Sequence, residues 1–315
     1  VNLHIAEKDL VSERQVVLEE RRSRTDNVPA ALLNEAVNEQ LFGRHKPYAM
    51  PIIGYADDIR RLSINELTAF YRRFYAPGNA VLIIAGDTTP DVVRKLAEKH
   101  YGAIPNRRVE VRRRPAQGGT DLPQRVSRGD ARVVEPRWSR EWLAPSYRKG
   151  DTKYTYALQV LARLFGGSET SRLWRAMVAD NKLALSAYAG YSPASLGLTS
   201  FGVGVQPVPT RAVMEIEAAV DFEMKKLVDD GVTADEVERA QNQLLAAAIY
   251  AQDSLASGPR IYAAVLSTGG TMADIAAWPE RIAAVTPDDV VAAARLVWRD
   301  SGAVTALLTP AEGSR

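Results

Sequence analysis

The sequence predicts an α+β protein of two homologous domains, each an antiparallel sheet packed with helices. One reason is a helix-then-strand unit that occurs twice at fixed spacing. Ser63 and Thr286 each open a helical stretch, and Ala80 and Ala303 each open an apolar one; both pairs stand 223 positions apart. A second reason is length, because 315 residues favour two domains over one. The third is order: long amphipathic stretches segregated from short β-rich runs place helices on a mostly antiparallel sheet.

The elements follow from local chemistry. The stretch around Glu13 and Glu20 should be helical. The helix from Leu62 to Tyr75 opens with Ser63 and Glu66, the reciprocal pair of a capping box, and runs into a strand over Ala80–Gly86. Pro90–Tyr101 is an amphipathic helix. Asn106–Gln124 is rich in Arg, Pro and Gly and reads as a solvated linker, its Arg112, Arg113 and Arg114 balanced by Asp121 and Asp130. Strands are then expected at Ala131–Leu143, Ala184–Tyr191 and Leu198–Val205, with helices at Thr152–Phe165 and Ser171–Ala179. Gly166-Gly167 reads as the cap ending the first of these helices. Further helices are expected at Arg211–Asp230, Ala234–Ser254 and Gly258–Ser267. The repeat closes with Val285–Arg299, opened by Thr286, Pro287 and Asp289, and the strand Gly302–Leu307. The resulting division is a first domain at 1–107, a linker at 108–123 and a second domain at 124–315. Leu244, Ala247 and Ala248 read as core, and Trp138, Trp142 and Trp174 as packing residues.

Composition removes several classes of function. The net charge of +2 gives no basis for nucleic-acid binding. The absence of cysteine excludes disulfides and thiolate metal sites. No run of 18 apolar residues occurs, so no membrane span is expected, and nothing chooses between periplasm and cytoplasm. Gly202-Val203-Gly204 lacks a third glycine and opens no helix, and neither a phosphate-binding loop nor a G-x-S-x-G elbow occurs.

The informative chemistry lies in Ser12–Asp58. Glu13 and Glu20 are seven residues apart, almost two helical turns, so their carboxylates share a face with Val16 and Val17 between them. At the repeat spacing Glu13 falls on Glu236 and Glu20 on Gln243, an acid against a neutral amide. An amide is the poorer ligand for a hard cation.

This pattern resembles the second motif of the pitrilysin/insulinase (M16) family of zinc peptidases. The resemblance extends over E-R-x-V-V-x-E-E, the T-D-N-x-P turn, P-Y-x-x-P-I-I-G, F-Y-x-P-x-N-A and, in the second half, GGSETSRLW. It implies an M16-like fold with a first domain lacking its N-terminal part and an inactive second domain. It makes Glu20 a zinc ligand and Glu13 a supporting carboxylate beside it. It also implies a zinc-dependent endopeptidase acting on peptides or unfolded polypeptides through metal-activated water.

The family's His-x-x-Glu-His is missing. Only 19 residues precede Glu20, and His4, His45 and His100 do not have that spacing. The chain by itself is therefore expected to be inactive, with an incomplete zinc site. The family pattern L-R-x-x-x-G-L-A-Y falls on Met177, Val178, Lys182, Leu183, Ala184 and Leu185. Val178 and Leu185 stand where an Arg and a Tyr would reach substrate, and neither can donate a hydrogen bond. A homologous subunit carrying that pair is the implied partner, as a heterodimer, with a homodimer as the alternative. A non-catalytic scaffold homologue in a protein complex is the second reading.

Overall fold

The structure, a computed structural model, describes residues 3–110, 114–116, 118–119 and 121–311. Arg112 and Arg113 lie outside these. Helices α1 (Glu7–Arg21), α2 (Pro29–Phe42), α3 (Ala56–Arg61), α4 (Ile64–Phe74) and α5 (Pro90–Tyr101) form the first part. The second part begins with β1 (Gln124–Asp130), β2 (Arg137–Ala144), α6 (Thr155–Gly166) and α7 (Arg172–Trp174), which runs into a π-helical turn at Arg175–Asp180. It continues with β3 (Ala184–Tyr191), β4 (Thr199–Pro207), α8 (Val213–Asp230), α9 (Ala234–Tyr250), α10 (Ser257–Ser267), α11 (Met272–Ala276), α12 (Trp278–Ala283), α13 (Pro287–Val297) and β5 (Val304–Pro310).

The α+β class holds, with two differences in the sheets. The described residues form one five-stranded sheet, ordered β1-β5-β2-β4-β3, and it is mixed, because β1 runs parallel to β5 while the other pairs are antiparallel. The segment expected as a strand at Ala80–Gly86 pairs with nothing among the described residues. Its Val81, Leu82 and Ile84 are exposed. β-propensity makes a strand only where a neighbour supplies ladder hydrogen bonds. Conversely, Gln124–Asp130, which follows the expected linker and precedes the strand expected from Ala131, is a strand because β5 lies beside it.

The helical part of the repeat is carried into the structure. Moved on by 223 positions, α4 coincides with α13, and α3 falls within one residue of α12. Both capping boxes form: Ser63 Oγ accepts from Glu66 N at 3.3 Å, and Thr286 Oγ1 accepts from Asp289 N at 3.2 Å.

One face of the sheet is covered by α6, α8 and α13, with α9 packed on α6, and together they enclose a core containing Trp138, Trp142, Phe165, Phe201, Ile216 and Leu227. On the other face α2 lies against β5 and β1. Leu33, Val37, Leu41 and Phe42 meet Val304, Ala306 and Leu308 there. Alternation along β5 explains this: residues 304, 306 and 308 point to α2, while Leu307 joins the larger core.

Gly166 is not a left-handed cap. A Cβ there would stand 2.2 Å from the backbone nitrogen of Ala189, so glycine lets α6 lie directly on β3. Leu244 packs on the core as expected, but Ala247 is exposed and Ala248 lines a cavity. Trp138 and Trp142 are buried.

Candidate metal centre

α1 carries both predicted acids. Glu13 is exposed and has no ion pair among the described residues. Glu20, the last residue but one of α1, is half-exposed and meets Arg24 Nη1 at 2.8 Å, an i,i+4 pair open to water. The positions between them do not make a core face: Val16 is exposed and Val17 half-buried.

What fixes α1 is the residue after Glu20. Arg21 is buried and donates to both carboxylate oxygens of Glu35, at 2.9 and 3.0 Å, and to Gly54 O at 2.7 Å. Its pKa is raised, chiefly by the Glu35 hydrogen bond. The P-I-I-G motif thereby has a local role. Gly54 takes a left-handed φ of 87° and turns its carbonyl to the guanidinium. Nearby, Tyr55 Oη donates to Glu39 at 2.7 Å, and burial followed by that bond raises the phenol to about 12. Arg14 ties α1 to the chain after α3 through Leu62 O, at 2.6 Å.

The described residues include no group of three or more His, Asp or Glu side chains placed to hold a metal ion. His4, His45 and His100 are all exposed. Glu20 is a single anionic donor beside a solvated arginine. The side chains present do not by themselves fit a zinc ion, which takes at least three protein ligands.

The second half shows the same positions in another state. Glu236, the counterpart of Glu13, is gripped by Arg172, with Nε to Oε1 at 2.6 Å and Nη2 to Oε2 at 2.7 Å. Glu236 also caps α9 by accepting from Thr233 N at 2.9 Å. The Arg172 hydrogen bond is the main reason its carboxyl is held down at about 2. Gln243, the counterpart of Glu20, accepts from Arg163 Nε at 2.8 Å and donates to Thr170 Oγ1 at 3.3 Å. Two guanidinium groups thus occupy the neighbourhood where a cation would be sought. Nothing local in the sequence marks Arg163 and Arg172, which lie 80 and 64 positions from their partners. The repeat spacing points only to the acceptor side.

Val178 is half-buried against the core, and Leu185 is exposed on β3, the sheet edge. A further acid escaped the sequence reading. Glu141 on β2 lies beside Gly202, and burial raises its carboxyl despite a hydrogen bond with Ser200.

These features define a class: an α+β chain in which α3 and α4 recur about 223 positions on, with an exposed acid pair on α1 and with Glu236 and Gln243 tied to arginines. The family profile described as Peptidase M16 inactive domain matches residues 61–244. The chain belongs to the M16 peptidase family. It is 31% identical over 190 residues to zinc protease PqqE of Helicobacter pylori, covering 60% of this chain and 42% of that protein. It is 30% identical over 314 residues to an uncharacterized zinc protease of Streptomyces coelicolor, covering 92% of this chain and 63% of that one. Among solved structures, a protease from Helicobacter pylori superposes with a TM-score of 0.86 at 23% identity, over 98% of this chain and 74% of the other. The chain therefore spans from 42% to 63% of the length of these sequence relatives. No helix among the described residues is long and apolar enough to cross a membrane.

Proposed function

We propose that this chain is the part of a zinc-dependent endopeptidase that brings the carboxylate of Glu20 to the metal, together with the enzyme's inactive half. The asymmetry between the halves carries the reading. Glu13 has no ion pair among the described residues and Glu20 only a solvated one with Arg24, whereas Glu236 and Gln243 are committed to the less exposed Arg172 and Arg163. An acid pair kept free of buried cations is available to one supplied from elsewhere.

In this reading Glu20 is the metal carboxylate, and Glu13 supports it by orientation and charge. The histidine pair comes from residues beyond Val1–Arg315. The substrate class is peptides or unfolded polypeptides. Val178 and Leu185 cannot donate to a substrate carbonyl, so activity calls for a homologous subunit that supplies an Arg/Tyr pair. By itself this chain binds no stoichiometric zinc and hydrolyses nothing.

The test compares the product of the complete gene with its Glu20→Gln variant, by metal analysis and by hydrolysis of an unfolded polypeptide with the homologous subunit present. The expected result is one zinc per protein, lost with activity in the variant while the fold is kept. Zinc and activity retained in Glu20→Gln would remove Glu20 from the site. A complete product with neither zinc nor activity favours the second reading, a non-catalytic scaffold, which the inactive-domain profile and the Glu20–Arg24 pair support.

A further inference from the structure

A cavity of about 610 Å³ lies beneath α10 in the second half, apart from both acid positions. Helix α10 has no fully buried residue and rests chiefly on α11 and the single turn Ala251–Asp253. Its Ile261 and Val265 therefore line open space rather than core. The opposite wall is aromatic. Gln159 donates to Tyr147 Oη at 3.1 Å and accepts from Trp278 Nε1 at 3.0 Å, which fixes these rings and satisfies the amide.

Three charged side chains line the space, Arg148, Asp274 and Arg281. Arg281 is committed to Asp274, at 3.3 Å, and to Tyr156 Oη, at 2.6 Å, and Asp274 also caps α11 through Thr271. Arg148, exposed at the mouth beside Gly269, has no carboxylate partner among the described residues. The lining thus carries one positive charge in excess, at its rim. Its volume falls within the range of about 300–1,000 Å³ usual for small-ligand sites.

We infer that this cavity binds an apolar monocarboxylate, its tail under α10 and its carboxylate on Arg148. The inference does not depend on the zinc reading. A fatty acid and the C-terminal residue of a peptide share this chemistry.

Calorimetric titration of the chain with dodecanoate below its micelle concentration, with its methyl ester, and with acetyl-leucyl-phenylalanine as acid and as amide tests it. Saturable one-to-one binding of an acid is expected, weakened about tenfold when the head group is made neutral. Arg148→Ala should abolish that difference. Ala264→Trp, or Thr268→Phe if the first does not fold, fills the cavity and should abolish binding with the circular dichroism unchanged. Binding of dodecanoate only assigns the lipid source, and binding of the dipeptide acid only assigns peptide ends. Absence of saturable binding by either acid, neutral ligands as tight as acids, or undiminished binding in the folded cavity-filled variant would overturn the inference.

Discussion

Glu236→Gln measures how far the second half has replaced a cation with an arginine. The side chains of Glu236 and Arg172 are each 21% exposed, and their hydrogen bond is the largest cause holding the Glu236 carboxyl at about 2 instead of the ordinary 4.5. At neutral pH that depression corresponds to about 3 kcal/mol, which solvent screening of the partly open pair reduces to about 1–2 kcal/mol. Because the folded-state pKa is the lower one, this stability is fully present above 4.5 and is lost as the pH falls towards 2. Glutamine keeps an oxygen that can accept from Thr233 N, so the helix cap survives and the charge does not. Urea unfolding of both proteins near pH 7 should show the variant weaker by about 1–2 kcal/mol, and the gap should fall to less than half by about pH 3. A gap of equal size at both pH values, or none near neutrality, would refute the claim that the Arg172 pair sets the state of this acid.

Arg21→Met should cost about 3 kcal/mol, because it leaves Glu35 partly buried without its cation. Adding Glu35→Leu should recover part of the loss, measurable by urea unfolding of the single and double variants. Gly166→Ala should destabilise by about 1–3 kcal/mol, since the new Cβ meets β3 backbone. Gly204→Ala should cost less, since the atoms nearest its Cβ are the outer end of the exposed Tyr188 ring, which can swing aside; thermal melts of the pair decide.

Legibility in the sequence followed the range of the interactions involved. Capping boxes at Ser63 and Thr286 are complete within four residues, so α4 and α13 were placed within a few residues from sequence. Pro90 and the turn after Tyr101 likewise bounded α5. Strands depend on partners far along the chain. The aliphatic run at Val81–Ile84 has the composition of a strand without a neighbour, whereas Gln124–Asp130, lying between the expected linker and the strand expected from Ala131, gains one in β5. The helix that carries Glu13 and Glu20 was legible, and their assignment to a metal rests on the family resemblance rather than on spacing. The arginines on Glu236 and Gln243 were not legible, because only folding brings α6 and α7 to α9. At Arg175–Asp180 the composition reads as plain helix, and the structure has a π-helical turn there.

Helix α2 sits near the start of the chain and β5 near its end, yet Leu41 and Leu308 share one dry interface. The first and last parts of the polypeptide are thereby clasped together without passing through the linker. A protease nick between residues 108 and 123 should leave two pieces that stay associated and melt as a unit. Expressing 124–315 as a free fragment would instead strip the cover from Val304, Ala306 and Leu308, so the cut that looks natural on paper divides a single hydrophobic nucleus.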